Sequence, residues 1–174
     1  MNNNDILIRL RYALDIKDTD MLEMFKLGGV KVTKEELQKM LVKSKNSSDV
    51  DEDDEFEADS DMKKCDNIMI ESFLNGFIIF KRGKLESKPG EPEKQILMIK
   101  DNKTVNNIML KKVKIALSLT SEEMLDIFKE AGIILSKSEL SAVFRKEGQR
   151  NYRECGDRYA RNFLKGLAIK YRND

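Results

Sequence analysis

Hydrophobic residues return along this chain at the three-and-four spacing of helices that bury one face, in two blocks of similar content. In the first block Ile6, Leu7, Leu10 and Leu14 mark one helix, and Met21, Leu22 and Phe25 mark a second. The second stops at Gly28 and Gly29, glycine being the common helix terminator. In the second block Met109, Leu110, Val113 and Leu117 mark the first helix, while Met124, Leu125 and Phe128 mark a second that stops at Gly132. A third helix opens in each block with a capping box, Thr33 with Glu36 and Ser136 with Glu139, in which each side chain satisfies an unpaired amide of the first turn. The fourth is predicted from about Asp66 to Lys81 and from about Asp157 to Tyr171. Each aspartate stands near the amino end, where the helix dipole favours negative charge. The predicted class is all-α.

The blocks are copies. A shift of 103 positions sets "RYALDIKDTDMLEMFKLGGVKVTKEELQKMLVK" on "KIALSLTSEEMLDIFKEAGIILSKSELSAVFRK", pairing Ala13 with Ala116, Phe25 with Phe128, Gly29 with Gly132 and Leu37 with Leu140. A shift of 90 sets "MKKCDNIMIESFLNGFIIFKR" on "NYRECGDRYARNFLKGLAIKYR", pairing Cys65 with Cys155, Phe73 with Phe163 and Gly76 with Gly166. The difference of 13 is an insertion in the first copy. Two copies of a unit of about four helices are too few for a solenoid, so they are expected to face each other about a pseudo-twofold axis. The expected organisation is a first helical repeat over 1–82, a linker over 83–103 holding both prolines, and a second helical repeat over 104–174. Within the first repeat, 44–62 carries "SKNSSDVDEDDEFEADSD", whose nine acidic residues face one lysine; it is expected to be a mobile surface loop. Residues 96–99, in "QILMI", fit either a short strand or an early start to the next helix.

The stretches "FLNGFIIFKRGK", "NNIMLKKVKIALSL", "NYRECGD" and "FLKGL" resemble the YehS-like bacterial proteins of unknown function. That resemblance covers nearly the whole chain and implies two copies of one small helical domain. It brings no reaction, ligand or catalytic residue with it. The chain departs from the family pattern in its long acidic insertion and in the extra "ILMIKDNKTV" before the second copy.

Composition narrows the function. At 174 residues with 40% hydrophobic content the chain can bury a full core. No apolar run approaches bilayer length and the start has no signal-peptide pattern, so a cytoplasmic protein without membrane association is expected. The two cysteines form no CxxC and are expected to be reduced. There is no histidine, which removes the commonest general base, the common zinc ligand set and every Ser-His or Cys-His nucleophile arrangement. No GxGxxG or GxxxxGK loop exists for a nucleotide. The aspartates from Asp49 to Asp61 loosely imitate a calcium loop, but Asp54 stands where the turn needs glycine and Ser60 where a bidentate glutamate belongs. No catalytic residue, cofactor or metal is therefore expected.

Cys65 and Cys155 stand before a helix, where a dipole can activate a thiol, but a small buried residue at the same joint in both copies is the expectation. Gly76 and Gly166 in mid-helix suggest a close helix crossing. Charge is polarised: residues 1–62 hold nine basic and sixteen acidic side chains, net −7, and 63–174 hold twenty-three and fifteen, net +8. Lys111, Lys112 and Lys114, with Arg145, Lys146, Arg150, Arg153, Arg158 and Arg161, form a set that can neutralise phosphates. The expected function is a non-enzymatic binding or adaptor role with another protein as partner, the alternative being nucleic-acid binding by this basic set.

Overall fold

The computed structural model describes residues 2–42, 63–83, 99, 104–145 and 148–172. These form eight α-helices: α1 (Asn3–Leu14), α2 (Asp18–Leu27), α3 (Lys34–Met40), α4 (Asn67–Arg82), α5 (Val105–Ala116), α6 (Ser121–Glu130), α7 (Lys137–Val143) and α8 (Asp157–Arg172). Among the described residues there is no strand, so the fold is the all-α, duplicated arrangement that the periodicity predicts. The acidic stretch 44–62, with the calcium-like aspartates, and most of the expected linker lie outside the described residues. Of 96–99 only Ile99 is described, and it belongs to no regular element.

Local chemistry fixes the helix ends. Both expected capping boxes form: the Glu36 amide donates to Thr33 Oγ1 at 3.1 Å and the Glu139 amide to Ser136 Oγ at 3.1 Å, each glutamate accepting in return from the cap amide. Two more boxes, Asn2 with Asp5 and Thr120 with Glu123, start α1 and α6. Asp66 caps α4 by accepting from the Met69 amide at 2.8 Å, whereas Asp157 is already the first residue of α8. The first helix of each copy ends at equivalent left-handed residues, Asp15 at φ 50° and Ser118 at φ 53°. Leu117 consequently caps α5 instead of extending it, and the buried place near each end goes to Ala13 or Ala116, with Leu14 and Leu117 only partly buried.

Packing follows the repeat. Within each copy the second helix crosses the fourth, with Phe25 against Phe73 at 5.0 Å between ring centroids and Phe128 against Phe163 at 5.5 Å. Each such buried ring contributes roughly 1.5–3 kcal/mol relative to exposure. The crossings are close enough to require glycine: a β-carbon at Gly76 would stand 1.6 Å from the Met24 carbonyl oxygen, and one at Gly166 would stand 2.1 Å from that of Ile127. Gly28 meets the backbone of Ser72 in the same way, so it is a crossing residue as well as a helix end. Between copies the first helices are exchanged, α1 lying mainly against α8 and α5 against α4. Equivalent arginines close both seams, Arg82 Nη1 donating to the Ile115 carbonyl at 3.3 Å and Arg172 Nη1 to the Tyr12 carbonyl at 2.8 Å. This reciprocity is the pseudo-twofold relation.

Candidate functional site

Each copy opens with two asparagines that tie its fourth helix to its first. Asn4 donates to the carbonyls of Met40 at 3.0 Å and Lys63 at 2.7 Å and accepts from the Cys65 amide at 2.9 Å. Asn107 does the same with Val143, Arg153 and Cys155, each at 2.8 or 2.9 Å. Asn3 and Asn106 donate to the carbonyls of Cys65 and Cys155 at 3.0 Å. These side chains satisfy buried backbone groups in segments that no helix ladder can serve.

The cysteines sit inside these clamps. Both are buried, and burial, with a nearby aspartate in each case, pushes their thiols up to about 12. Each donates weakly to a neighbouring carbonyl, Cys65 to that of Asp66 and Cys155 to that of Gly156. A buried thiol with a raised pKa is a poor nucleophile. Thr33, Glu36, Ser136 and Glu139 likewise serve the fold, and each glutamate also pairs with a cation of its copy's fourth segment, Glu36 with Lys63 and Glu139 with Arg153.

The two seams between copies differ. At α4/α5, Glu71 is 1% exposed and lies 3.6 Å from the Lys112 ammonium, which also donates to Asn75. The Glu71 carboxylate accepts a 2.7 Å hydrogen bond from the Ile99 amide, which anchors that part of the chain to the seam. Burial pulls the Lys112 pKa below the ordinary lysine value, and Glu71 opposes that shift.

At α1/α8 the seam opens into a groove of about 560 Å³. Ile8, Tyr12, Leu164 and Ala168 give it apolar wall, and Arg9, Arg158, Arg161 and Lys165 give it positive charge against the single lining carboxylate of Asp5. Tyr12 is 57% exposed, and the Arg172 guanidinium lies 4.1 Å from its ring centroid at that end of the seam. None of the four lining cations is in an ion pair with a described residue. The space falls within the range typical of small-ligand sites.

The basic set expected from the sequence is therefore divided. Arg158 and Arg161 line the groove; Lys112 is buried in its pair with Glu71 and is unavailable to a partner at the surface. Lys114 lies 6.0 Å from the Phe144 ring, and Arg145 donates to the Arg150 carbonyl at 3.0 Å, so these residues gather at the end of α7. Arg153 is occupied by Glu139 and by the Tyr159 ring at 5.7 Å. Lys111 is half-buried on α5, and Lys146 lies outside the described residues. Sequence reasoning missed Arg9 and Lys165, which come from different copies. The signal for them is the alignment itself, which sets Arg9 on Lys112 and Asn75 on Lys165. Among the described residues no group of three or more Cys, Asp or Glu side chains is placed to hold a metal ion, and no helix is long and apolar enough to cross a membrane.

Comparison with known proteins adds a family. The family model described as "Protein of unknown function (DUF1456)" matches residues 3–83 and 106–173, one segment in each copy. The uncharacterized protein YehS of Escherichia coli (strain K12) is 39% identical over 171 residues, which cover 98% of this chain and 96% of the relative. No solved structure matches.

Proposed function

We propose, for a chain that belongs to the DUF1456 family, a non-enzymatic role as a helical binding module, an adaptor whose partner is another protein carrying negative charge into the α1/α8 groove. The observation that supports this reading is the groove itself, in which four cations and one carboxylate line a concave, partly apolar surface and none of the four is neutralised by a described side chain. Charges in such a place cost little while solvated and become strong recognition elements once a partner excludes water. The sequence has no histidine and burial raises both thiols, which removes Ser-His and Cys-His pairs and a reactive thiolate from the candidates.

The experiment is a titration of the whole protein with labelled poly-glutamate at low and moderate salt, beside the double variant Arg158→Glu/Arg161→Glu. Binding at low salt that weakens with salt and is lost in the variant is expected. Equal binding by both forms would remove the groove reading. A second reading, nucleic acid held at the end of α7, draws on the gathering of Lys114, Arg145 and Arg150 there. It predicts that labelled single-stranded RNA binds and is lost in Arg145→Glu/Arg150→Glu while the groove variant retains it.

A further inference from the structure

The two seams are built from equivalent positions, and they differ at the place that Glu71 holds in α4/α5. At α4/α5 the Glu71 carboxylate faces Lys112, with Asn75 as a further partner of the lysine. The shifts of 103 and 90 carry Lys112, Glu71 and Asn75 onto Arg9, Arg161 and Lys165. All three of those side chains line the α1/α8 groove. Where one seam places a carboxylate, the other places a third positive charge and open space.

We propose that the α1/α8 groove is a site for a phosphomonoester, its phosphate held by Arg9, Arg161 and Lys165. This rests on the reading that the groove engages negative charge, and it names the group engaged. Charge favours phosphate over carboxylate. The lining residues carry four positive charges and one negative, a surplus of three. A phosphomonoester above its second pKa of about 6 brings two negative charges to that surplus, whereas a carboxylate brings one. Guanidinium groups bind phosphate oxygens through paired N–H donors, so two arginines and a lysine suit a tetrahedral group better than a single carboxylate. Size points the same way. A groove of about 560 Å³ is much larger than one phosphate requires, which leaves room for the organic part of the ester beside Ile8, Leu164 and Ala168. That ester can be a phosphorylated side chain of a partner protein or a free phosphorylated small molecule.

The test is isothermal titration of the full chain with phenyl phosphate, with benzoate and with a short Gly/Ala peptide carrying one phosphoserine. Wild type is compared with Arg9→Gln/Arg161→Gln and with Lys111→Gln as a control for loss of charge away from the groove. At least one phosphate probe is expected to bind more tightly than benzoate, to weaken at least about tenfold in the double variant and to be unchanged by Lys111→Gln. The tighter of phenyl phosphate and phosphopeptide identifies the source of the ester. Should the double variant melt below wild type, Arg158→Gln/Lys165→Gln carries the same test. No preference for phosphate over benzoate, or undiminished phosphate binding in a folded groove variant, overturns the proposal. If poly-glutamate binding is lost on groove charge reversal while the phosphate probes behave like benzoate, the phosphomonoester falls and the groove reading stands. If poly-glutamate and the phosphate probes alike ignore the groove variants, both fall.

Discussion

At the α4/α5 seam Lys112 is 7% exposed beside Glu71 at 1%, whereas at the α1/α8 seam the equivalent Arg9 is half-buried and Arg161 is exposed. The contrast shows what burial demands of charge. A cation taken out of water needs a counter-charge in place, because desolvation costs several kcal/mol per ion, and Glu71 supplies it. The four cations lining the groove of the other seam are less buried and are in no ion pair with a described residue. The same helix geometry therefore supports a closed ion pair on one side and an accessible cationic groove on the other.

The largest expected effect breaks that comparison at its closed end. Glu71→Ala leaves Lys112 buried without its counter-charge and the Ile99 amide without an acceptor, and should cost about 3–5 kcal/mol. Arg161→Ala, at the equivalent place, should change stability by less than about 0.5 kcal/mol. Urea melts of the two variants measure the difference, and similar losses would mean that the seams are not distinct in kind.

The helix crossings give the next effect. Gly76→Ala drives a β-carbon into the Met24 carbonyl and toward the Gly28 amide, and should cost about 3 kcal/mol, the upper end of ordinary overpacking. Gly166→Ala meets the Ile127 backbone at a slightly larger separation, and Ala131 already stands at the position equivalent to Gly28, so about 2 kcal/mol is expected. Calorimetric midpoints that rank the two variants the other way would contradict the tighter packing assigned to the first crossing.

The asparagine clamps should respond alike. Asn4→Ala and Asn107→Ala each strand a cysteine amide and two carbonyls, for a loss of about 2 kcal/mol in both copies. A large effect in one copy alone would show that the duplicated geometry is not duplicated in energy.

The smallest effect at neutral pH is chemical. With both thiols raised from 9.0 to about 12 by burial, alkylation of the native protein at pH 8 should be slow at Cys65 and Cys155 alike, followed by mass spectrometry. Below pH 9 the thiols hold their protons in both folded and unfolded chains, and their contribution to stability is complete. As pH rises from about 9 toward 12 the unfolded thiols ionise while the folded ones do not, so the unfolding midpoint should fall across that window and more gently in Cys65→Ala/Cys155→Ala.

Much of the fold is legible in the sequence because helices write local patterns. The apolar spacing of α1 and α5, the capping boxes at Thr33 and Ser136 and the paired glycines each depend on residues a few positions apart. The asparagine clamps are hidden because Asn3, Asn4, Asn106 and Asn107 read as polar positions, although the shift of 103 sets them on one another and only packing reveals that they are largely buried. The candidate site is hidden for a stronger reason. Arg9 and Lys165 meet across two copies and most of the chain length, and no periodicity within α1 or α8 records which helix of the other copy lies against it. The charge set read from the second copy finds Arg158 and Arg161 but also includes Lys112, whose burial depends on Glu71 in the first copy.

The exchange of first helices has a consequence for what a single copy could do. A free copy would expose the faces that α1 and α4 turn toward α8 and α5, and two such copies would satisfy each other only as a symmetric dimer. In a dimer of identical subunits the two seams are the same by symmetry, so an acid placed at one is placed at both. Joining the copies in one chain removes that identity. Each seam can then change its residues without imposing the change on the other, which allows Glu71 at one seam and Arg161 at its counterpart.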